Sequence, residues 1–327
     1  MTVRLKREGI LFFSILFYIV MPINKVEAGS CCGGGSSSSL VLPKFAKLGV
    51  SLSLTNEHYD GYWTNNSSYL IDPPDSSLNQ YRMTVGYAHR VANDWQLSIT
   101  TPYIVNDNRY TGIKSFSQGI GDTNVSAFYE LFSKVQCIWK VRKWQDLLPA
   151  TYIGLDTLLP TGLSPYSNVI DSFSVTGRGL YRVSPKILFD KTVYPWSFSF
   201  SSSYGYHFQR PVNQEYGNYI VPYDIRLGNR FNYSILVGYT HFFDSMAFTT
   251  LSASYAYLNE EKALIDDVLN DTTGLSRHSG NIVLLYATTN RSYIFKLTYN
   301  FSLREKNWGR NTPLTDTFSM EVNYVLR

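Results

Sequence analysis

Beyond residue 23 the chain has no apolar run near the roughly 18 residues that would mark a membrane-crossing helix, so no such helix is expected there. Cysteine is scarce. Of the three, Cys31 and Cys32 are adjacent and Cys137 stands alone, which gives neither a disulfide framework nor metal-ligand spacing. Charge is also scarce, at 17% of residues. Strong helix formers give way to Ser, Thr, Asn, Tyr and Val, a balance that favours strands.

The scarcity of charge excludes a nucleic-acid partner as well. Arg4, Lys6, Arg7 and Lys25 against Glu8 and Glu27 give residues 1–28 a charge of +2 out of the total of +4, leaving the remainder near +2. Nucleic-acid binding needs a basic face that so weak an excess does not supply.

What the chain does have is an export leader. The basic start is followed by "ILFFSILFYIVMPI" (10–23) and by Val26-x-Ala28, the small-residue pattern read by signal peptidase. These fourteen residues fall short of the roughly 20 needed to span a bilayer, so a cleaved signal 1–28 is expected rather than an anchor. A Gly/Ser-rich tether, 29–45, comes next. "AGSC" (28–31) matches a lipobox loosely, which makes Cys31 the candidate lipidation site; the alternative is an unmodified tether.

From residue 46 to 327 apolar residues recur at every second position. "LGVSLSL" sets Leu48, Val50, Leu52 and Leu54 on one face; "QYRMTVGYAH" does so with Tyr81, Met83, Val85 and Tyr87. "WSFSFSSSYGY" alternates Trp196, Phe198, Phe200, Tyr204 and Tyr206 with Ser and Gly. About twelve such segments follow one another. A soluble sandwich would carry Lys and Glu on its polar face; here the interleaved residues are small and neutral, with occasional Arg. A lipid-facing outside around a wet inside yields this pattern. Short connections ("RVAND", "HFFDS", "TTNR") alternate with long polar ones (56–79, 105–118, 160–176, 207–224, 258–277, 304–315), as in outer-membrane barrels. One connection, 133–149, is long for its side; Val135, Cys137 and Trp139 keep the preceding parity, so an over-long hairpin is expected there.

"GIGDTNVSAFYELF" (119–132) first suggests a phosphate loop. Such a loop needs a helix behind it, whereas Val125, Ala127, Tyr129 and Leu131 follow a strand period. Gly119 and Gly121 therefore mark the mouth of a strand.

The fold class is thus all-β: a monomeric transmembrane antiparallel barrel of about 12 strands with a cleaved signal peptide. Open edges do not survive in hydrocarbon, so the last segment, Phe318 to Leu326, is expected to close the barrel. If the aromatics face lipid, parity puts Arg82, Arg178, Arg182, Arg226, Arg230 and Lys296 in the lumen with Asp122, Glu130, Asp156 and Glu321. They either form ladder pairs that fill a narrow interior or line a polar pore.

"ANDWQLSITTPYIV", "GIGDTNVSAFYELF" and "GLDTLLPTG", in this order across residues 80–163, resemble motifs of the outer-membrane family named for the meta-pathway of phenol degradation. The resemblance implies a barrel that transports small hydrophobic or aromatic compounds. The chain departs from the pattern in its 133–149 turn, its Leu-Arg end and its "GSCCGGGSSSS" tether.

Other chemistry fares less well. None of His58, His89, His207, His241 and His278 belongs to a nucleophile motif. Carboxylates in "NEEK" and "IDDVLND" offer oxygens to a calcium ion, or simply solvated loops. The function expected is an outer-membrane pore or transporter for small solutes, with no cofactor or metal. Its partners are outer-membrane lipid and lipopolysaccharide and the barrel-assembly machinery. The rival readings are a sealed, partner-binding barrel and, less favoured, a barrel enzyme.

Overall fold

A computed structural model describes residues 40–132 and 137–327. The leader, the tether as far as residue 39, and Cys31 lie outside the described residues. Twelve strands form a closed ring: β1 Leu48–Trp63, β2 Ser77–Arg90, β3 Trp95–Tyr110, β4 Thr123–Phe132, β5 Ala150–Leu159, β6 Arg182–Val193, β7 Trp196–His207, β8 Arg230–Phe242, β9 Phe248–Glu260, β10 Leu275–Ala287, β11 Tyr293–Ser302 and β12 Thr312–Leu326. Each is antiparallel to its neighbours in sequence, and β12 closes on β1 with Leu48 opposite Leu326 and Leu54 opposite Met320. The even strand number brings both ends of the barrel chain to one rim.

Alternation sorts the two faces as the sequence pattern implies. Leu54, Val85, Leu97, Ile235, Leu284 and Met320 are exposed on the outside, while Ser51, Ser98, Ser126, Ser184, Ser252 and Ser279 are buried within. No helix among the described residues is long and apolar enough to cross a membrane.

Several strands outrun the bilayer. A transmembrane strand needs about 9–11 residues, yet β1 and β3 have 16 each. Their far ends lie in water, where no greasy face is required. For that reason the polar stretches 56–63 and 105–110, expected as loop, are strand. The same holds for Ile113–Ile120, which folds back as a hairpin on β3, pairing Tyr103 with Ile120. Outside the barrel, Arg210–Glu215 and Asn218–Arg226 form a second small sheet with Leu264–Ile265 and Val268–Leu269. Leu180, Val212 and Ile225 fill its core.

On the opposite rim, the described part of the connection expected as an over-long hairpin, residues 137–149, leaves the preceding ladder. Cys137–Ile138 runs parallel to the end of β6, opposite Thr192 and Val193. Trp139 packs at a tilt against Tyr194 and Phe242 at centroid distances of 4.5 and 5.1 Å. An aromatic contact beneath the rim thus takes precedence over continuing the ladder.

Residues 40–46 turn into the barrel from this short-turn rim. Leu42 and Ala46 pack with Ala88, Phe248, Leu285, Ile294 and Val325, and Val41 packs with Phe128, Tyr152 and Leu188. Gly49 leaves room for this segment: a methyl group on it would lie 2.7 Å from the Leu42 side chain, which would have to shift.

Candidate functional site

The lumen has three levels. At the short-turn rim, residues 40–46 form a plug tied by polar groups. Glu130 of β4, almost wholly buried, meets Lys44 at 3.2 Å and Arg90 at 3.8 Å. Arg90 also donates to the Ala46 carbonyl (2.9 Å) and the Pro43 carbonyl (3.3 Å). The Leu42 N–H donates to Gln96 Oε1 at 2.8 Å. Side chains from β2 and β3 therefore hold backbone groups that would otherwise be unsatisfied inside the barrel.

Above the plug lies a polar chamber of about 270 Å³ whose walls include Lys186, Ser234, Asn281, Lys296 and Asn300. Val283 lines its floor, and Leu285, two residues further along β10, already belongs to the plug cluster. Lys186 reaches Asp156 at 3.5 Å and Lys296 reaches Glu321 at 3.1 Å. Small residues fill the remainder through short hydrogen bonds: Ser201 with Ser234 at 2.9 Å, and Asn281 donating to Ser254 at 3.0 Å.

At the long-loop end stands a cluster of arginines. Arg178, on the loop before β6, grips Glu260 with two bonds of 2.6 Å, the bidentate geometry that suits a guanidinium to a carboxylate. Arg230 is 3.8 Å from the same carboxylate. Arg277 donates to Thr315 Oγ1 at 3.0 Å, and Arg182 stands opposite His207 across the β6–β7 ladder. His207 Nδ1 lies 2.9 Å from the Gly228 carbonyl.

The motif that resembles a phosphate loop has a mechanical role. The outer half of β3 pairs with Ile113–Ile120 and its inner half with β4, so the chain steps sideways at Gly121 and Asp122. The Gly121 N–H donates to the Pro102 carbonyl at 2.8 Å; a Cβ on Gly121 would lie 2.7 Å from Ile104 and 2.8 Å from Pro102. Asp122 then accepts the backbone N–H groups of Gly162 (3.1 Å) and Arg178 (2.7 Å). Thr161 donates to the Gly121 carbonyl at 2.7 Å. Thus "GIGD" and "LPTG", far apart in sequence, interlock and place Arg178 over the lumen.

Of the residues assigned to the lumen by parity, Arg82 faces Glu57 at 3.4 Å, and Glu130, Asp156, Arg182, Arg230, Lys296 and Glu321 occupy the levels just described. Asp122 and Arg178 arrive from loop segments, since β6 begins only at Arg182. Arg226 does not lie in the lumen. Between the outer hairpin and β8 the strand is interrupted at 227–229. Arg226 ends the outer hairpin opposite Leu264, and its guanidinium lies over the Tyr206 ring and donates to the Tyr206 hydroxyl at 3.1 Å. Once the strand is interrupted, parity no longer carries across it.

Sequence reasoning missed Lys186, Glu260, Arg277, Arg90 and Lys44. Lys186 was within reach, being four residues after Arg182 on the same face. Glu260 and Arg277 fall in the stretch assigned to loop 258–277.

The small outer sheet covers the 160–181 loop. Arg210 donates to the Gly179 carbonyl at 2.5 Å and lies 5.5 Å from the Tyr166 ring. Burial, with Glu215 close by, pushes the Tyr166 hydroxyl up to about 12, so it stays protonated at neutral pH.

By its fold the protein is an outer-membrane β-barrel. It is similar to an outer-membrane channel from Pseudomonas putida F1, with a TM-score of 0.68 and 11% identity over 90% of this chain and 100% of that one. It is also similar to the β domain of the Bordetella autotransporter BrkA, with a TM-score of 0.50 and 9% identity over 86% of this chain and 100% of that one. Identities this low extend to the fold alone. No family model and no curated protein matches the sequence.

Proposed function

We propose that the barrel is a passive conduit for small solutes across the outer membrane. The observation that carries this reading is the polar chamber of about 270 Å³ inside a closed strand ring. A barrel whose role is purely structural has no need of a water-compatible space lined by hydroxyl, amide and cationic groups. The resemblance to the meta-pathway family, together with a channel of the same fold, favours small hydrophobic or aromatic compounds as cargo. In this reading residues 1–28 direct export and 29–39 lead to the plug. The barrel is monomeric, sits among lipid and lipopolysaccharide after insertion by the assembly machinery, and needs no cofactor. The ten charged positions named from the sequence, Arg226 excepted, act by lining or bracing the lumen, and catalysis has no part.

A second reading, a sealed barrel that binds a partner, draws on the plug and its latch at Glu130. Liposome swelling decides between them. Vesicles containing the purified chain should swell in arabinose faster than protein-free vesicles; equal rates would leave the sealed barrel. Intact-mass analysis tests the export reading: a chain beginning at Gly29 is expected, and a diacylglycerol increment on Cys31 would replace the unmodified tether with a lipid anchor.

A further inference from the structure

We infer that the lumen chamber is a binding site for the oxyanion of a small organic acid. This rests on the conduit reading and adds to it the class of solute. Four cationic side chains, Lys186, Arg230, Arg277 and Lys296, come to the chamber wall, and among the described residues no Asp or Glu lines it. Their counter-charges stand behind the wall: Asp156 for Lys186, Glu321 for Lys296 and Glu260 for Arg230. Glu260 is already committed to Arg178 through both of its oxygens, which leaves Arg230 at the longer distance of 3.8 Å. Arg277 makes its side-chain hydrogen bond to a hydroxyl, that of Thr315.

The chamber is therefore electropositive inside low-dielectric walls, a setting that concentrates anions and repels cations. Guanidinium groups present a planar fork matched to a carboxylate, and Ser234, Ser254, Asn281 and Asn300 supply neutral donors around it. A wholly apolar solute would have to displace water from these groups without replacing its hydrogen bonds. The volume is just under the roughly 300–1,000 Å³ of pockets that take drug-sized ligands. A compact solute with one anionic group fits both limits.

The test is titration calorimetry on the full chain in detergent at low ionic strength, with sodium benzoate and its uncharged isostere benzamide as probes. Benzoate should bind and benzamide should not. Arg277→Gln removes a chamber cation without orphaning a carboxylate, and should weaken benzoate binding about tenfold or more. The pair Lys296→Gln with Glu321→Gln, which removes a second cation together with its counter-charge, should weaken it as well and covers the case in which the first variant does not fold. Equal affinity for the two probes, or benzoate binding unchanged in the variants, would overturn the assignment. Arabinose swelling is measured in parallel: its absence beside intact benzoate binding would overturn the conduit and leave the anion site standing.

Discussion

Lys44 of the inserted segment lies 3.2 Å from Glu130 on the lumen wall, with 14% and 3% of the two side chains exposed. This contact fastens the plug, because Arg90 meets the same carboxylate from the other side at 3.8 Å while holding the Ala46 and Pro43 carbonyls. Breaking a buried ion pair from one side costs about 3–5 kcal/mol, since the remaining charge is left uncompensated. Glu130→Gln removes the carboxylate that both cations share and is expected to loosen residues 40–46 and raise the swelling rate several-fold. Lys44→Ala leaves Glu130 with Arg90 and should do less. Swelling rates of the two variants in the opposite order would show that apolar packing of Leu42 and Ala46, and not the latch, seats the plug.

At the other end of the lumen, Glu260 is the single carboxylate between Arg178 and Arg230. Glu260→Gln should lower the unfolding free energy by about 3–5 kcal/mol, read as a shift of the urea midpoint in detergent. Adding Arg178→Gln removes one stranded cation and should recover part of the loss. A double variant no better than the single would mean that Arg178 and Glu260 are not energetically coupled.

The closed ladder was legible in the sequence because lipid imposes a period-two apolar face that ordinary turns do not disguise. Leu48 to Leu54 and Phe318 to Leu326 disclosed both closing strands. The site was legible only where parity ran unbroken, as from Arg182 along β6 or from Lys296 to Glu321 across the β11–β12 ladder. Parity failed at Arg226, where the chain leaves the ladder, and gave no warning of Glu260 and Arg277, whose strand ends stand in water with little apolar signal. The seating of residues 40–46 depends on contacts with β2, β3, β4, β10 and β12 that no local pattern encodes.

Closure has its own consequence. With Leu48 paired in register opposite Leu326, no strand edge is available for detergent to attack. Unheated protein in dodecyl sulfate should migrate faster than boiled protein and keep a strand-type circular dichroism spectrum. Identical mobilities with and without boiling would contradict a stable ring.

The last prediction separates two arginines that sequence parity placed together. Arg182 stands at the long-loop end of the lumen with Arg178 and Glu260 as its electrostatic neighbours, whereas Arg226 lies outside, over the Tyr206 ring. A charge on the lumen side of a low-dielectric wall acts on permeating ions; one on the outer rim faces water and is screened within about 8 Å at physiological salt. With cations in excess at the arginine cluster, the reversal potential across a salt gradient in planar bilayers should report a mild anion preference. Arg182→Ser should reduce that preference, while Arg226→Ser should leave it unchanged and at most loosen the outer hairpin. Equal effects from the two substitutions would place the selective field at the outer mouth. No effect from either would mean that Arg182 is balanced by Asp122, Asp156 and Glu260 and that selectivity arises deeper, beside Lys186 and Lys296.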